Sequence, residues 1–171
     1  MDITAVILDD HRAQRSLFAM IEDIGPDGDA GALAAIWGRL SDLLEVHAEA
    51  EERHFYPRLL KIGTGANDAD DAEEETRDAI EDHNDIRNTT EAVGKHKVGS
   101  KAWFTAVDKA NKANSDHMAE EERQGLADFR RHASLKERHD LAVKFVAFKY
   151  RNRNGVEARN KNPDNYIAAN E

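Results

Sequence analysis

Four histidines, His11, His47, His83 and His117, recur along the chain at intervals of 36, 36 and 34 residues. Each falls on the apolar stripe of its own helical segment. Ile3, Ile7, His11, Gln14, Phe18 and Ile21 follow one another at spacings of three or four, which is one face of a helix over residues 3–24. A second helix, 31–62, carries Leu33, Ile36, Trp37, Leu40, Leu43, Leu44, His47, Glu51, Phe55 and Leu59. Pro57 inside it removes a backbone donor and predicts a kink or an early end. The third helix follows an acidic approach, Asp68 to Glu75, which opposes the positive end of the helix dipole. Its face reads Ala79 or Ile80, His83, Ile86, Thr90 and Val93. The fourth starts at Ser100, a plausible N-cap, and runs to about Phe129, with Trp103, Val107, Ala110, Ala113, His117 and Glu121 on one face. Gly- and Pro-containing runs at 25–31, 63–65 and 94–99 separate the four.

In an up-down bundle, residues stand at equal height when the climb to one helix end matches the descent from the next start. From His11 to the first turn is ~13 residues and from that turn to His47 ~16, or ~20 and ~24 Å of helix. The next hairpins give ~15 against ~13 residues and ~11 against ~16, so all four imidazoles can meet at one level. His47-x-x-x-Glu51 and His117-x-x-x-Glu121 each add a carboxylate about 40° away around the helix. A lone His-x-x-x-Glu pair is a weak motif. Four histidines at one height among Ile, Leu and Trp are costly to bury unless something pairs them, and a metal does so. The competing reading is an ordinary bundle with hydrogen-bonded core histidines. Imidazole with carboxylate suits iron, manganese or zinc, and two bridging carboxylates suit a pair of ions.

Composition narrows the field. With no cysteine there is no disulfide, thiolate metal site, iron–sulfur cluster or cysteine nucleophile. A net charge of −10 argues against nucleic-acid binding. No apolar run spans a membrane, and the N-terminus lacks a basic leader, so a cytoplasmic protein is expected. From Lys136 onward eight Lys/Arg stand against five Asp/Glu, although the chain as a whole is acidic. That basic end either docks on the acidic body or stays solvated.

The order His11, His47-x-x-x-Glu51, His83, His117-x-x-x-Glu121 resembles the hemerythrin/HHE cation-binding family over about residues 1–130. The resemblance implies an all-α fold, an antiparallel up-down four-helix bundle around a di-iron centre. Its ligands would be His11, His47, Glu51, His83, His117 and Glu121. The two iron ions would be bridged by the glutamates and by oxo or hydroxo. Two departures from oxygen-carrying hemerythrins bear on function. Arg87 stands four after His83, where those proteins have a second histidine, and the last helix has Glu121 at four rather than Asp at five. Tyr56, just before Pro57, is a candidate for the vacated place, because a distortion there could swing it inward; otherwise it is a packing residue. The stretch His47 to Pro57, with the added C-terminal region, looks like the actinobacterial (mycobacterial) hemerythrin-like proteins.

That branch implies a catalase-like reaction with hydrogen peroxide, and reactions with nitric oxide, with Tyr56 as the catalytic side chain. The alternative is O₂ or nitric oxide binding, or iron sensing or storage, without turnover. Small molecules are the expected partners, with no nucleic acid or membrane, in a monomer or small homo-oligomer. Ferritin-like chemistry would want Glu-x-x-His twice, and only Glu51-x-x-His54 matches. Gln14 reads as a polar contact or a partly exposed face residue, His54 as a supporting or packing residue, and His96, His132 and His139 as surface. The expected organisation is a bundle over 1–133, an additional helix over 134–150 opened by a Ser134/Glu137 capping box, with a Leu141, Phe145, Phe148 stripe, and a coil or disordered tail over 151–171.

Overall fold

The computed structural model describes residues 1–65, 71–157 and 159–170. They form helices and turns, with no strand among them: α1 (Ile3–Ile24), α2 (Ala30–His54), α3 (Tyr56–Ile62), α4 (Ala72–Val93), α5 (Lys101–Arg123), α6 (Gly125–His132), α7 (Leu135–Arg151) and α8 (Pro163–Asn170). No helix among the described residues is long and apolar enough to cross a membrane.

Short polar side chains start the helices. Asp2, Asp29, Ser100 and Ser134 each accept a backbone N–H from the first turn of the helix that follows. The capping box is at Asp71/Glu74, opening α4. At Ser134 only half of one forms, because Glu137 turns its carboxylate to Arg58. Asp68 and Asp70 of the acidic approach lie outside the described residues. Gly25 ends α1 at φ 68°, where a side chain would be strained.

Two of the four expected helices are broken, one where a kink or early end is predicted and one where continuity is. Between α2 and α3, Phe55 departs from helical geometry two residues before Pro57, as that proline predicts. Between α5 and α6 the break is at Gln124, before Gly125, which the apolar periodicity did not signal. A Cβ on Gly125 would stand in ordinary van der Waals contact with Leu59 and Phe55, 3.4 and 3.7 Å away.

Two apolar clusters form the core. One gathers Ile3 and Ile7, Phe55 and Leu59, Ile80, Leu126 and Phe129. The other gathers Phe18 and Ile21, Leu33, Trp37 and Leu40, Ile86 and Val93, Trp103 and Val107. α1 and α4 begin in the first cluster and end in the second; α2 with α3, and α5 with α6, run the other way. Each histidine lies between the two contributions of its own helix.

The C-terminal region packs on this body. α7 lies on α1 and α2, with Ala142 and Phe145 buried and Leu141 and Phe148 at the margin. Where the sequence reads as coil, the chain forms α8, seated on α3 and α4 through buried Tyr166 and Ile167. Composition misled there because the partners of this helix are distant in sequence. The loop after α3 is equally tight. A Cβ on Gly63 would come within 2.8 Å of the Leu59 carbonyl and 2.9 Å of the Ala72 Cβ. Gly63→Ala is therefore expected to cost about 1–3 kcal/mol from overpacking, read as a lower urea midpoint with an unchanged slope.

Candidate metal centre

The helical spacing brings His11, His47, Glu51, His83 and His117 into one buried layer. His11, His47 and Glu51 place donor atoms within 4.8 Å of one another, and so do Glu51, His83 and His117. Glu51 is common to both groups: Oε1 lies 2.9 Å from His47 Nε2 and Oε2 3.3 Å from His83 Nε2. Glu121 joins from α5, with Oε2 3.3 Å from His11 Nε2. Tyr56 is in the layer too. The break at Phe55 turns it inward to 1 % exposure, and its hydroxyl donates to Glu121 Oε1 at 2.7 Å.

Each imidazole is held from behind by a carboxylate of the neighbouring helix. His47 Nδ1 faces Asp10 of α1 at 3.1 Å, His83 Nδ1 faces Glu52 of α2 at 2.8 Å, His117 Nδ1 faces Asp82 of α4 at 3.3 Å, and His11 Nδ1 faces Glu122 of α5 at 2.9 Å. The four contacts close a ring around the layer. A carboxylate accepts, so each Nδ1 carries the proton and each Nε2 is turned inward, the arrangement that readies histidine for a metal.

These four carboxylates were not identified from the sequence, although a signal exists. Each adjoins an inward residue: Asp10 before His11, Glu52 after Glu51, Asp82 before His83 and Glu122 after Glu121. One residue turns the helix by about 100°, from the core toward the adjacent helix. Gln14 is not a partly exposed residue: it is fully buried, accepts from Asn114 Nδ2 at 3.0 Å, and its own Nε2 lacks a hydrogen-bond partner. Arg87 donates to Glu52 at 2.7 Å. His54 stands outside the layer against Phe148, while His96, His132 and His139 are exposed.

The residues present fit a pair of cations. His11 Nε2, His47 Nε2, both oxygens of Glu51 and Glu121 Oε2 are buried, and none has a hydrogen bond of acceptable geometry. His83 Nε2 and His117 Nε2 face each other at 3.1 Å although both rings already point Nδ1 at a carboxylate. Two inward lone pairs at that distance repel unless a proton or a metal stands with them. A cleft lined by Tyr56, Asp82, His117, Glu120, Glu121 and Gln124 reaches this layer, with about 20 Å³ of space, room for roughly one water.

Helices that turn imidazoles and carboxylates into one buried layer define a helical metal-binding protein. The chain belongs to the hemerythrin HHE cation binding domain family, whose model matches residues 2–129. Domains of this family bind metal ions, typically iron. No curated protein and no solved structure matches the chain.

Protons occupy the role of cations in the metal-free protein. Burial pushes His47 down, but the Glu51 charge close to its Nε2, the hydrogen bond to Asp10 and the Asp10 charge outweigh it and raise it to about 10. His83, opposed by burial in the same way, is raised to about 9 by the close contact with Glu51, the hydrogen bond to Glu52 and the charges of both. Burial pushes Glu52 up, yet its hydrogen bond to His83 and the charges of His83 and Arg87 bring it down to about 2. A raised histidine stabilises the fold fully below its unfolded value of 6.5 and ceases to do so as pH climbs through 9–10. Lowered Glu52 stabilises above 4.5 and loses its effect as pH falls through about 2. The metal-free protein is thus expected to show its highest urea midpoint between pH 4.5 and 6.5, declining steadily through pH 9–10. A midpoint that rises from pH 6.5 to 9 would contradict the protonated pair.

Proposed function

We propose that the chain is a non-haem di-iron protein, similar to the actinobacterial hemerythrin-like branch, that decomposes hydrogen peroxide in a catalase-like cycle. Its scaffold would be an antiparallel up-down four-helix bundle of α1, α2–α3, α4 and α5–α6, which the alternation of helix ends between the two clusters supports. His11, His47, Glu51, His83, His117 and Glu121 would hold the metals. Glu51 would bridge, since its two oxygens already address separate groups of donors. Bound iron would supply the electron exchange by which one peroxide is reduced to water and a second is oxidised to dioxygen.

The observation that carries the peroxide reading is Tyr56. A phenol sits inside the layer with its hydroxyl committed to Glu121, a proton source beside the donor atoms. Burial first, and then the charges of Glu121 and Glu51, raise it well above the ordinary phenol value, so Tyr56 keeps its proton at neutral pH. A buried acid beside the donor atoms can protonate an oxygen as its O–O bond breaks, and a proton released when the second peroxide is oxidised could return to Tyr56 through Glu121. The cleft past Asp82 and Glu120 would be the entry route for peroxide or nitric oxide, with these partly exposed side chains moving aside. If Tyr56 instead loses its proton to a bound cation, it becomes the additional ligand that the departures from oxygen carriers call for.

Metal analysis with an optical spectrum, taken before and after addition of peroxide, tests this. The expected result is about two irons per chain, with iron bands that change while oxygen evolves. Tyr56→Phe should keep the iron and lower the rate of oxygen evolution by roughly 10²-fold or more. Iron without oxygen evolution would favour a binding or storage protein. No stoichiometric metal after reconstitution with iron would overturn the site.

A further inference from the structure

Residues beyond the family match end at 171, and two of their lysines reach the ring that holds the imidazoles. Lys149 of α7 pairs with Asp10, the carboxylate behind His47. Lys161, between α7 and α8, pairs with Glu49 at 2.8 Å and also with Glu52, the carboxylate behind His83. Neither contact has the form of a loose surface pair. The backbone N–H of Lys161 donates to Asn84 Oδ1 at 2.9 Å, and its carbonyl accepts from Asn84 Nδ2 at 2.8 Å. Tyr166 of α8 donates to the backbone carbonyl of Glu52 at 2.6 Å. The extension therefore grips Glu52 by side chain and main chain together.

Charge gives each lysine its place. Glu49 and Glu52 bring two negative charges into a buried seam; Arg53, itself more than half exposed, pairs with Glu49 at 2.7 Å, and Arg87 pairs with Glu52 at 2.7 Å. Lys161 reaches both carboxylates. Asp10 is 6 % exposed, and Lys149 is the Lys or Arg whose ammonium meets it. Without these cations a buried carboxylate must take up a proton, turn toward solvent or strip charge from its histidine. Each route disturbs the imidazole it orients. On the opposite side of the layer Glu122 is served by Arg15 of α1, while the Asp82 side chain is 34 % exposed and is solvated.

We propose that Lys149 and Lys161 are positioning residues of the metal centre: through Asp10 and Glu52 they fix the tautomer and orientation of His47 and His83, and set the charge those rings feel. The C-terminal extension is then part of the site although it gives no ligand. The proposal rests on the metal reading above. Where the carboxylate stays ionised and in place, the electronic consequence has a definite sign. A cation behind the carboxylate weakens its pull on the imidazole proton, which makes the ring a poorer donor and disfavours the oxidised metal. Removing the lysine should lower the midpoint potential.

The test uses the full-length, iron-loaded protein with Lys149→Met, Lys161→Met and the milder Lys161→Gln, which keeps a polar donor and protects the fold. Lys161→Arg serves as conservative rescue, and Lys136→Met as a surface control, since Lys136 is exposed and, among the described residues, pairs with Asp140 alone. Iron release to a chelator, the midpoint potential and the iron bands are compared. The expected outcome is release about tenfold faster, a lower potential and shifted bands in the Met and Gln variants, with Lys161→Arg and Lys136→Met near wild type. Release, potential and bands all at wild-type values, with only the melting temperature lowered, would overturn the proposal and leave the metal reading intact. A wild-type protein that takes up no iron would overturn both.

Discussion

Two imidazoles whose Nδ1 protons are both held by carboxylates can face each other Nε2 to Nε2 only by sharing a proton or a cation, and the rest of this structure is arranged around that requirement. His83 and His117 meet Nε2 to Nε2 at 3.1 Å while Glu52 and Asp82 hold their other nitrogens. His11 and His47 are oriented in the same way by Glu122 and Asp10. The apolar clusters above and below exclude water, so the opposed groups are poorly screened and the arrangement is costly without a cation. The ring of carboxylates makes the cost unavoidable by preventing any imidazole from rotating away.

The helix breaks serve the same layer. α2 and α5 each run straight through their inward glutamate and bend shortly after it, at Phe55 and at Gln124. The first bend turns Tyr56 inward against Glu121, and after the second α6 packs against α3. A straight α2 would have carried the phenol about 140° away from Glu51. The layer is also lopsided. Its α1–α2 and α2–α4 seams are covered by α7 and the segment leading to α8, while the side near Asp82 and Glu120 keeps the cleft.

Much of this was legible in the sequence because helical periodicity reports which residues share an inward face. His11, His47, Glu51, His83, His117 and Glu121 all lie on such faces, and the bounds of α1 follow directly from its apolar spacing. Pro57 gave the break that brings Tyr56 inward. What the pattern hides is the role of the next residue around the helix. Asp10, Glu52, Asp82 and Glu122 read as solvated acids in a chain rich in them, and only the neighbouring helix gives them a histidine to hold. Arg87 was legible as a residue that cannot ligate, but not as the partner of Glu52. Gln14 needed the partner it finds in Asn114, a hundred residues away. The basic C-terminal end left docking and solvation open, and the contacts of Lys149 and Lys161 decide for docking.

The charges of the layer separate into an outer and an inner set. Outside, Asp10 is matched by Lys149, Glu49 and Glu52 by Arg87 and Lys161, and Glu122 by Arg15. Inside, Glu51 and Glu121 make ion pairs with histidines alone among the described residues. Two negative charges are therefore left at the centre, and in the metal-free protein His47 and His83, both raised well above 6.5, are the two groups that answer them. Cations bound among these donors would displace those protons. They would also offset the field at Tyr56, whose proton is retained because of burial and the charges of Glu121 and Glu51. Burial, the larger cause, acts with or without a neutralised carboxylate, so the phenol would remain a proton donor at its place in the layer.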